Sequence, residues 1–421
     1  SWLKPESGIK SEERVGFKSP IVMGGLALVV LYFFGLAGRS GQTTFELTRK
    51  QDLIQLPAFE IGSAQLGVIA GVSMLLVAVA SLLLSLRNSK TPIWLASIYG
   101  FLGVTALLGW LAADNSVPVV FIAGTALVLA VPIMLGAMAG VMSERSGITN
   151  IAIEGQLLTG AFMAAVVSSI TDSFTIGIVA AMVTAALISM VLAVFAIKFL
   201  AQQIIVGVVL NVLVIGITNF LYQQWLTEDG ENVNFPGTLD IVKIPFLSDI
   251  PVLGPVLFEN RITVFAALLI VPALWFVLFK TKLGLRARAV GEHPLAADTV
   301  GINVSRTRFW WVTIGGAIAG LGGAALTVGN AGAFGREMSG GFGFIALAVV
   351  ILGRWHPISA ALAALLFGFS IILRVWANQV SPGIPSDFIT MVPYIVTIIA
   401  VVGFVGQSRP PKSLAIPYVK G

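Results

Sequence analysis

The feature that most constrains this chain is a series of long apolar runs with almost no charge. A spanning helix needs about 20 apolar residues, because the hydrocarbon core of a bilayer is about 30 Å thick. The 421 residues are 57% hydrophobic and 11% charged, which is more apolar surface than a soluble core can hide. The sequence therefore predicts an all-α integral membrane protein with spans near 20–38, 61–86, 92–112, 117–142, 151–170, 174–198, 203–226, 261–280, 308–329, 357–379 and 384–405.

A twelfth apolar run, GFGFIALAVVILG at 341–353, is too short to cross the bilayer alone. It either crosses where surrounding protein covers the rest of the path, or dips in from one side. The ten-residue alternation of a membrane barrel is absent, so every span is predicted to be helical. The expected total is about 11–12 transmembrane helices.

The placement of lysine and arginine predicts the orientation, since cytoplasmic loops carry an excess of both. Basic residues cluster in the N-terminal tail, at 87–91 and at 280–308. An even number of spans separates the tail from 280–308, so both segments are predicted to be cytoplasmic. If 341–353 crosses the bilayer, the C-terminus is predicted to be cytoplasmic as well. The charged residues of the 227–260 connection are mostly acidic, and this connection is predicted to be a packed cap over the outer face. One link does not follow the rule that basic residues collect on the cytoplasmic side. It is 39–60, which carries Arg39, Arg49 and Lys50 on the predicted outer side.

Several kinds of site are excluded or disfavoured by composition. The chain has no cysteine and two histidines, so we expect no metal site, and we identify no catalytic residue. It also lacks the GxxxxGK motif followed by Ser or Thr, so it is not expected to bind ATP itself. The glycine-rich run at 315–329 is predicted to let helices approach closely, with Gly316, Gly320 and Gly323 near one face.

Polar residues inside spans are the candidates for a solute pathway, because they are costly in lipid and usually face a cavity or a partner. Glu154 lies one to two turns into a span, where it is either a pathway residue or a structural acid paired with Arg145 or a backbone end. Asn211 and Thr218 lie two turns apart on one helical face, with Asn219 beside them. This polar stripe either lines a route for a hydrogen-bonding solute or joins helices.

The stretch RARAVGEHPLAADTVGINVSR at 286–306 is the most polar segment between late spans. Pro294 suits a first helical position and Gly301 suits the residue past a helix end, so a short helix is predicted between them. Its small alanines suit docking into a cleft of a soluble partner. The alternative is a surface helix whose arginines, Arg286, Arg288 and Arg306, hold the headgroups.

Together with this stretch, three motifs carry a family resemblance. They are ERSGITNIAIEGQLLTGAF, VGVVLNVLVIGITNFL and GGFGFIALAVVILGRWHP. Over roughly 117–405 the chain resembles the permease subunits of ATP-binding-cassette importers for ribose, branched-chain amino acids and nucleosides, and within them the nucleoside type that works with basic-membrane-protein-like lipoproteins.

The resemblance implies a type II importer permease fold with extra N-terminal helices. It divides the chain into 1–115, a cytoplasmic tail plus accessory spans, and 116–421, a permease core with the outward loop 227–260 and a cytoplasmic coupling segment, 281–306. In the coupling segment it implies an ATPase contact involving Arg288, Gly291, Glu292, Pro294, Ala296, Ala297 and Gly301.

For the solute, the resemblance puts Asn150, Glu154 and Gln156 at the start of a helix near the inner gate and Asn211 on a pathway helix. Phe342 and Phe344 would stack on a base near the outer mouth.

The function implied is nucleoside import across a bacterial cell membrane by alternating access, without enzymatic activity in this chain. The implied partners are separate ATPase subunits that hold ATP and Mg²⁺, a second related permease in a heterodimer, and a substrate-binding lipoprotein. No cofactor in the chain and no nucleic acid are expected. Two alternatives stay open: a ribose-like sugar or branched-chain amino acid permease of the same fold, and an ion-coupled secondary transporter. The latter normally has more ionisable residues within its spans.

Overall fold

The computed structural model describes residues 17–89, 91–227, 230–380, 391 and 409–419. Its helices are α1 (Lys18–Val30), α2 (Ser63–Leu86), α3 (Ile93–Leu111), α4 (Val119–Arg145), α5 (Ile153–Thr171), α6 (Phe174–Ile197), α7 (Gln203–Leu221), α8 (Gly230–Val233), α9 (Ile262–Lys280), α10 (Lys282–Glu292), α11 (Pro294–Thr299), α12 (Val304–Leu326), α13 (Phe342–Leu352) and α14 (Pro357–Val380). Its strands are β1 (Gln42–Glu46), β2 (Phe59–Gly62), β3 (Ser116–Pro118), β4 (Ile241–Lys243) and β5 (Glu259–Arg261). Wider π-helical turns continue α1, α7 and α12 as Leu31–Leu36, Tyr222–Leu226 and Thr327–Ala331.

Ten helices among the described residues are long and apolar enough to cross a membrane. They coincide with ten of the predicted spans, and most ends agree within a few residues. The largest difference is α12, which with its π-helical turn covers Val304–Ala331 and so begins before the predicted 308. The span predicted at 384–405 lies outside the described residues. The predicted helical membrane architecture is confirmed.

The centre of the bundle is α12, which packs against α4, α5 and α6. Gly316 and Gly320 lie against α6, where an added Cβ atom would clash with Ser189 and with the Ala181 carbonyl. Gly323 faces α5 instead, against the Leu157 carbonyl. The prediction of close glycine packing is confirmed, with the glycines divided between two neighbours. Such contact matters in a membrane, where helices associate by close packing rather than by the hydrophobic effect.

One end of the bundle, called here the basic end, brings together the turn after α4, α10, the 353–356 turn and residues 409–419. The Arg145 side chain donates to the Trp355 carbonyl at 2.9 Å, and the Ser413 N–H donates to the Gly291 carbonyl at 2.9 Å. Thr149 is joined to the start of α7 by the Gln203 side chain, with 2.7 Å between the Thr149 nitrogen and the amide oxygen. The predicted cytoplasmic segment 281–306 therefore shares one end with the C-terminal residues.

The opposite end contains the 39–62 link and the 227–261 connection. Strand β1 pairs antiparallel with β2 and parallel with β3, and the β4 and β5 strands pair within the connection. Arg49, the unexpected basic residue of the link, forms ion pairs with Asp52 and with Glu259 of the connection, and Lys243 also pairs with Glu259. Both segments are thus on the same side, and carboxylates compensate the charge of Arg49.

The short α13 forms the second half of a broken crossing. The chain leaves α12 at the opposite end and returns, and α13 begins beside the first turn of α5, where Gly341 and Gly343 bond to Glu154. It ends at the basic end, next to the Trp355 contact with Arg145. In the non-helical part, Phe334 and Ser339 are buried, whereas Arg336, Glu337 and Gly340 are exposed. Phe342 and Phe344 lie in the first turn of α13, close to Glu154. Their predicted place near the outer mouth stays a prediction.

The N-terminal helices form their own small core and then join the rest. Met23 of α1, Met74 of α2 and Tyr99 of α3 are buried in one apolar cluster. A second cluster joins Leu66 and Leu111 to Trp376 of α14. The sheet also crosses the predicted boundary between 115 and 116, because β3 pairs with β1. The division into an accessory unit and a permease core stays a prediction.

Candidate functional site

Asn150 and Gln156 form a reciprocal pair at the start of α5. The Asn150 amide donates to the Gln156 side-chain oxygen at 3.2 Å, and the Gln156 amide donates back at 3.1 Å. Both side chains are fully buried. A side-chain amide has two donors and an acceptor, so the pair satisfies much of its own hydrogen bonding away from water. The pair fixes the turn between α4 and α5.

Asn211 joins α7 to the same turn. Its side-chain oxygen accepts from the Gly155 N–H at 2.8 Å, and its amide donates to the Ile151 carbonyl at 2.8 Å. Asn211 is 3% exposed. The first turn of α5 has backbone N–H groups without helical partners, and Asn211 satisfies one of them from a neighbouring helix. Asn211 therefore joins α7 to the start of α5, and whether the polar stripe also lines a solute route stays a prediction.

Glu154 caps the N-terminus of α13. Its carboxylate accepts from the Ser339 hydroxyl at 2.6 Å, from the Gly341 N–H at 2.9 Å and from the Gly343 N–H at 2.6 Å. A negative charge at a helix N-terminus is stabilised by unpaired N–H groups and by the helix dipole. The backbone also approaches closely, because a Cβ atom on Gly343 would clash with the Glu154 main chain. Glu154 is therefore paired with a backbone end, and Arg145 bonds elsewhere.

The remaining predicted pathway residues differ in exposure. Thr218 is buried, and its hydroxyl donates to the Val214 and Ile215 carbonyls of its own helix. Asn219 donates to Glu337 at 3.0 Å. Phe342 packs partly buried against the core, whereas Phe344 is 52% exposed.

We use the name polar belt for Asn150, Glu154, Gln156 and Asn211. Hydrogen bonds of the belt connect the start of α5 and the turn before it to α7 and to α13. Whether these residues line a solute route stays a prediction.

The predicted coupling segment, 281–306, forms two short helices, α10 and α11, joined at His293, and includes the first residues of α12. Pro294 is the first residue of α11, as predicted, and Gly301 follows the helix with φ of +83°. Positive φ is readily adopted by glycine, which explains the helix stop. The predicted short helix is confirmed.

The two neighbouring alanines of α11 have opposite environments. Ala297 is 3% exposed and packs with Val290 and Val304. Ala296 is exposed, next to Leu295 at 67% and Val300 at 74% exposed. We call Leu295, Ala296, Thr299 and Val300 the coupling surface. Within the predicted contact set, Ala296 and Gly301 are exposed, whereas Gly291 and Ala297 are buried.

Other residues of the predicted contact set support α11 from behind. Gly291 lies directly against the Arg145 carbonyl, where any side chain would clash. Arg288 stacks over the Phe279 ring at 5.1 Å, and Glu292 accepts from the Lys412 N–H. Arg286 and Arg306 are exposed. Arg288 thus packs on the protein, and whether these arginines reach the headgroups stays a prediction.

Sequence reasoning missed a buried contact at the end of α4. Trp355 donates its indole N–H to Glu144, which is 5% exposed, while the adjacent Arg145 donates to the Trp355 carbonyl. The predicted span ended at 142, so Glu144 was assigned to a link. The only sequence signal was an acidic residue within one turn of that predicted end. This contact holds the C-terminal end of α13 against the end of α4.

Comparison with known proteins places these features in a family. Residues 122–401 match the family described as branched-chain amino acid transport system / permease component. The guanosine ABC transporter permease protein NupQ of Bacillus subtilis is 40% identical over 70% of this chain and 95% of its own length. The nucleoside ABC transporter permease protein NupC of Lactococcus lactis is 37% identical over the same shares.

A more distant relative is the putative glucose ABC transporter permease protein TsgC13 of Haloferax volcanii. It is 31% identical over 59% of this chain and 75% of its own length. No solved structure matches the chain. The family match covers the belt, α10, α11 and α13, and it agrees with the ten apolar helices. The chain is a multi-pass membrane protein and belongs to the family of branched-chain amino acid transport system permease components.

Proposed function

We propose that this permease imports nucleosides through a membrane complex driven by a separate ATPase that holds ATP and Mg²⁺. The observation that carries the proposal is the coupling surface. Leu295 lies on the six-residue helix α11 and Val300 follows the end of that helix, and both are large apolar side chains that face solvent. Exposed apolar residues grouped at one place favour a protein interface. Since the sequence has no phosphate loop, ATP would be hydrolysed by a partner, and this surface suits the docking of that partner.

The contacts behind the coupling surface connect α10 and α11 to α4 and α13, so a displacement of α11 would be transmitted to those helices. Gly291 rests on the end of α4, and Trp355 joins that end to α13. At its other end α13 is held by Glu154. Packed helices move as rigid bodies rather than deforming, so ATPase closure against α11 would shift α4 and α13 together. Alternating access would follow from that displacement.

A second, related permease is favoured by the burial of the polar belt. Asn150, Gln156 and Asn211 use their polar atoms within this chain. A route between two permeases in a heterodimer fits this arrangement better than a route through one. The basic end and both termini would be cytoplasmic in a bacterial cell membrane. The opposite end, with the 227–261 connection, would receive a substrate-binding lipoprotein.

The nature of the solute rests on similarity. Relatives named for guanosine and nucleosides are 40% and 37% identical, and the relative named for glucose is 31% identical. This order favours a nucleoside over a sugar. An ion-coupled secondary transporter is disfavoured because Glu154, the candidate ionisable group, is occupied as a helix cap.

Uptake competition tests the solute directly. Cells or vesicles carrying the complex should take up radiolabelled guanosine, and excess unlabelled nucleosides should suppress that uptake. Ribose, glucose and leucine should leave it unchanged. Suppression by a sugar or by leucine, but not by nucleosides, would replace the proposed solute.

Docking is tested by Ala296→Glu. We expect the variant to insert and unfold like the parent, since the site is exposed, but to lose the co-purifying ATPase and solute uptake. Burying an unpaired carboxylate in an apolar interface costs several kcal/mol, which corresponds to at least about a hundredfold in affinity. Ala296→Ser is the matched control and should retain both. Normal uptake by Ala296→Glu would remove α11 from the interface.

A further inference from the structure

Residues 411–419, called here the strap, run behind α10 and α11. The Ser413 N–H donates to the Gly291 carbonyl at 2.9 Å, and the Ser413 hydroxyl donates to the Glu292 carbonyl at 3.2 Å. These are the last two residues of α10, whose carbonyls have no partner within the helix. The strap therefore caps α10 from a position about 120 residues later in the chain.

Arg308 ties the strap to the rest of the basic end. It is 2% exposed and donates from Nε to the Ser146 carbonyl at 3.2 Å and from Nη1 to the Ile416 carbonyl at 3.1 Å. A buried guanidinium is costly unless its N–H groups find acceptors; in Arg308, Nε and Nη1 have acceptors and Nη2 is buried without one. One side chain of α12 thus holds both the turn after α4 and the strap. The strap is part of a defined polar contact rather than a loose tail.

Tyr418 completes the apolar cluster behind α11. It packs against the cluster of Val290, Ala297 and Val304, one residue from each of α10, α11 and α12. A helix as short as α11 has little stability of its own, so its orientation depends on such packing. The strap contributes to the buried side, and the coupling surface faces away from it.

We propose that the strap is a positioning element of the coupling surface. It fixes α10 and α11 against α4 and α12. A displacement of α11 would therefore be transmitted to α4 and α12 instead of being absorbed by bending at the junction between α10 and α11. This inference rests on the proposed function, in which an ATPase docks on α11. The strap residues act through α10 and α11 and need not touch the ATPase.

The test uses the complete transport complex reconstituted in liposomes, with Tyr418→Ala and Ser413→Ala in the permease. The measured quantity is nucleoside taken up per ATP hydrolysed, together with the amount of ATPase bound. We expect the ATPase to stay bound while the ratio falls about two- to tenfold, the range that corresponds to one lost contact of about 0.5–1.5 kcal/mol.

Three variants serve as controls. Val419→Ala alters the neighbouring side chain, which is 64% exposed, and Lys412→Ala removes an exposed side chain while leaving its N–H in place. Both should retain the parent ratio. Tyr418→Phe preserves the ring in the cluster and should restore most of the coupling that Tyr418→Ala loses.

The outcomes separate this inference from the proposed function. A lower melting temperature with an unchanged uptake-to-hydrolysis ratio would show that the strap only stabilises the fold, and would overturn the inference alone. If the unaltered chain transports without any ATPase, the proposed function fails and the inference fails with it.

Discussion

The polar belt and the ion-pair network at the opposite end both join segments far apart in sequence, but with different chemistry. The belt is buried, and its partners are mostly amides and backbone N–H groups. The network consists of Arg49, Asp52, Lys243 and Glu259. The side chains of Arg49 and Lys243 are 32% and 62% exposed, and those of Asp52 and Glu259 are 10% and 9% exposed. Water can therefore reach the cations of the network, whereas it cannot reach the buried amides of the belt.

This difference separates residues that determine the arrangement of the helices from residues that adjust the surface. Removing one belt partner leaves buried donors unsatisfied, which costs much more than the net value of the bond. Exposed ion pairs contribute little, because solvation and screening offset their attraction. Three variants test this contrast, from the largest expected effect to the smallest.

The largest effect is expected for Glu154→Ala. The Ser339 hydroxyl and the Gly341 and Gly343 N–H groups would lose a shared acceptor away from water. We expect a loss of about 3 kcal/mol or more in the free energy of unfolding. Thermal unfolding of the purified protein in detergent measures it. Glu60→Gln, at an exposed carboxylate, is the control and should unfold like the parent. Parent-like stability of Glu154→Ala would mean that the cap is unimportant.

An intermediate effect is expected for Asn211→Ala. The variant leaves the Gly155 N–H and the Ile151 carbonyl without their partner, a cost of about 1–3 kcal/mol, so stability and uptake should fall together. Thr218→Val is the matched control on the same face. Its hydroxyl bonds only within its own helix, so we expect a change below about 1 kcal/mol. Reduced uptake by Asn211→Ala at unchanged stability would favour a pathway role instead.

The smallest effect is expected for Glu259. Burial acts to raise the pKa of Glu259, but hydrogen bonds and charges from Arg49 and Lys243 outweigh burial and lower this pKa below its ordinary value. A carboxylate with a lowered folded-state pKa stabilises the protein above its unfolded-state pKa. That contribution disappears as the pH falls through the folded-state pKa.

Glu259→Gln should therefore lower the melting temperature slightly at neutral pH. The corresponding loss in the free energy of unfolding should be less than about 1 kcal/mol. The difference from the parent should vanish in acid, where both side chains are neutral. Melting curves at several pH values measure it. A difference that persists unchanged in acid would show that charge is not the cause.

The spans were predictable because the bilayer imposes their length and the backbone must satisfy its own hydrogen bonds there. The start and stop of α11 were predictable for a local reason, since Pro294 and Gly301 have fixed backbone preferences. The strands at the opposite end were not predicted. Thr43 and Phe45 are buried between partners that lie far along the chain, and no local pattern reveals such pairing.

The candidate site was predictable in composition but not in role. Glu154 and Asn211 were identified because polar groups in spans are rare and costly. Their use as a helix cap and as a clamp depends on α13 and on the turn before α5, which reach them only in the folded chain. Glu144 was overlooked because its partner, Trp355, is more than 200 residues away.

The sequence by itself determined the helical membrane class, the approximate limits of ten spans and the short helix between α10 and α12, because each depends on local hydrophobicity or backbone preference. The tertiary structure alone decided that Ala297 faces inward while Ala296 faces solvent, and that the strap caps α10. Identical side chains side by side have the same intrinsic preferences. Only the surface against which a helix packs distinguishes the buried residue from the exposed one.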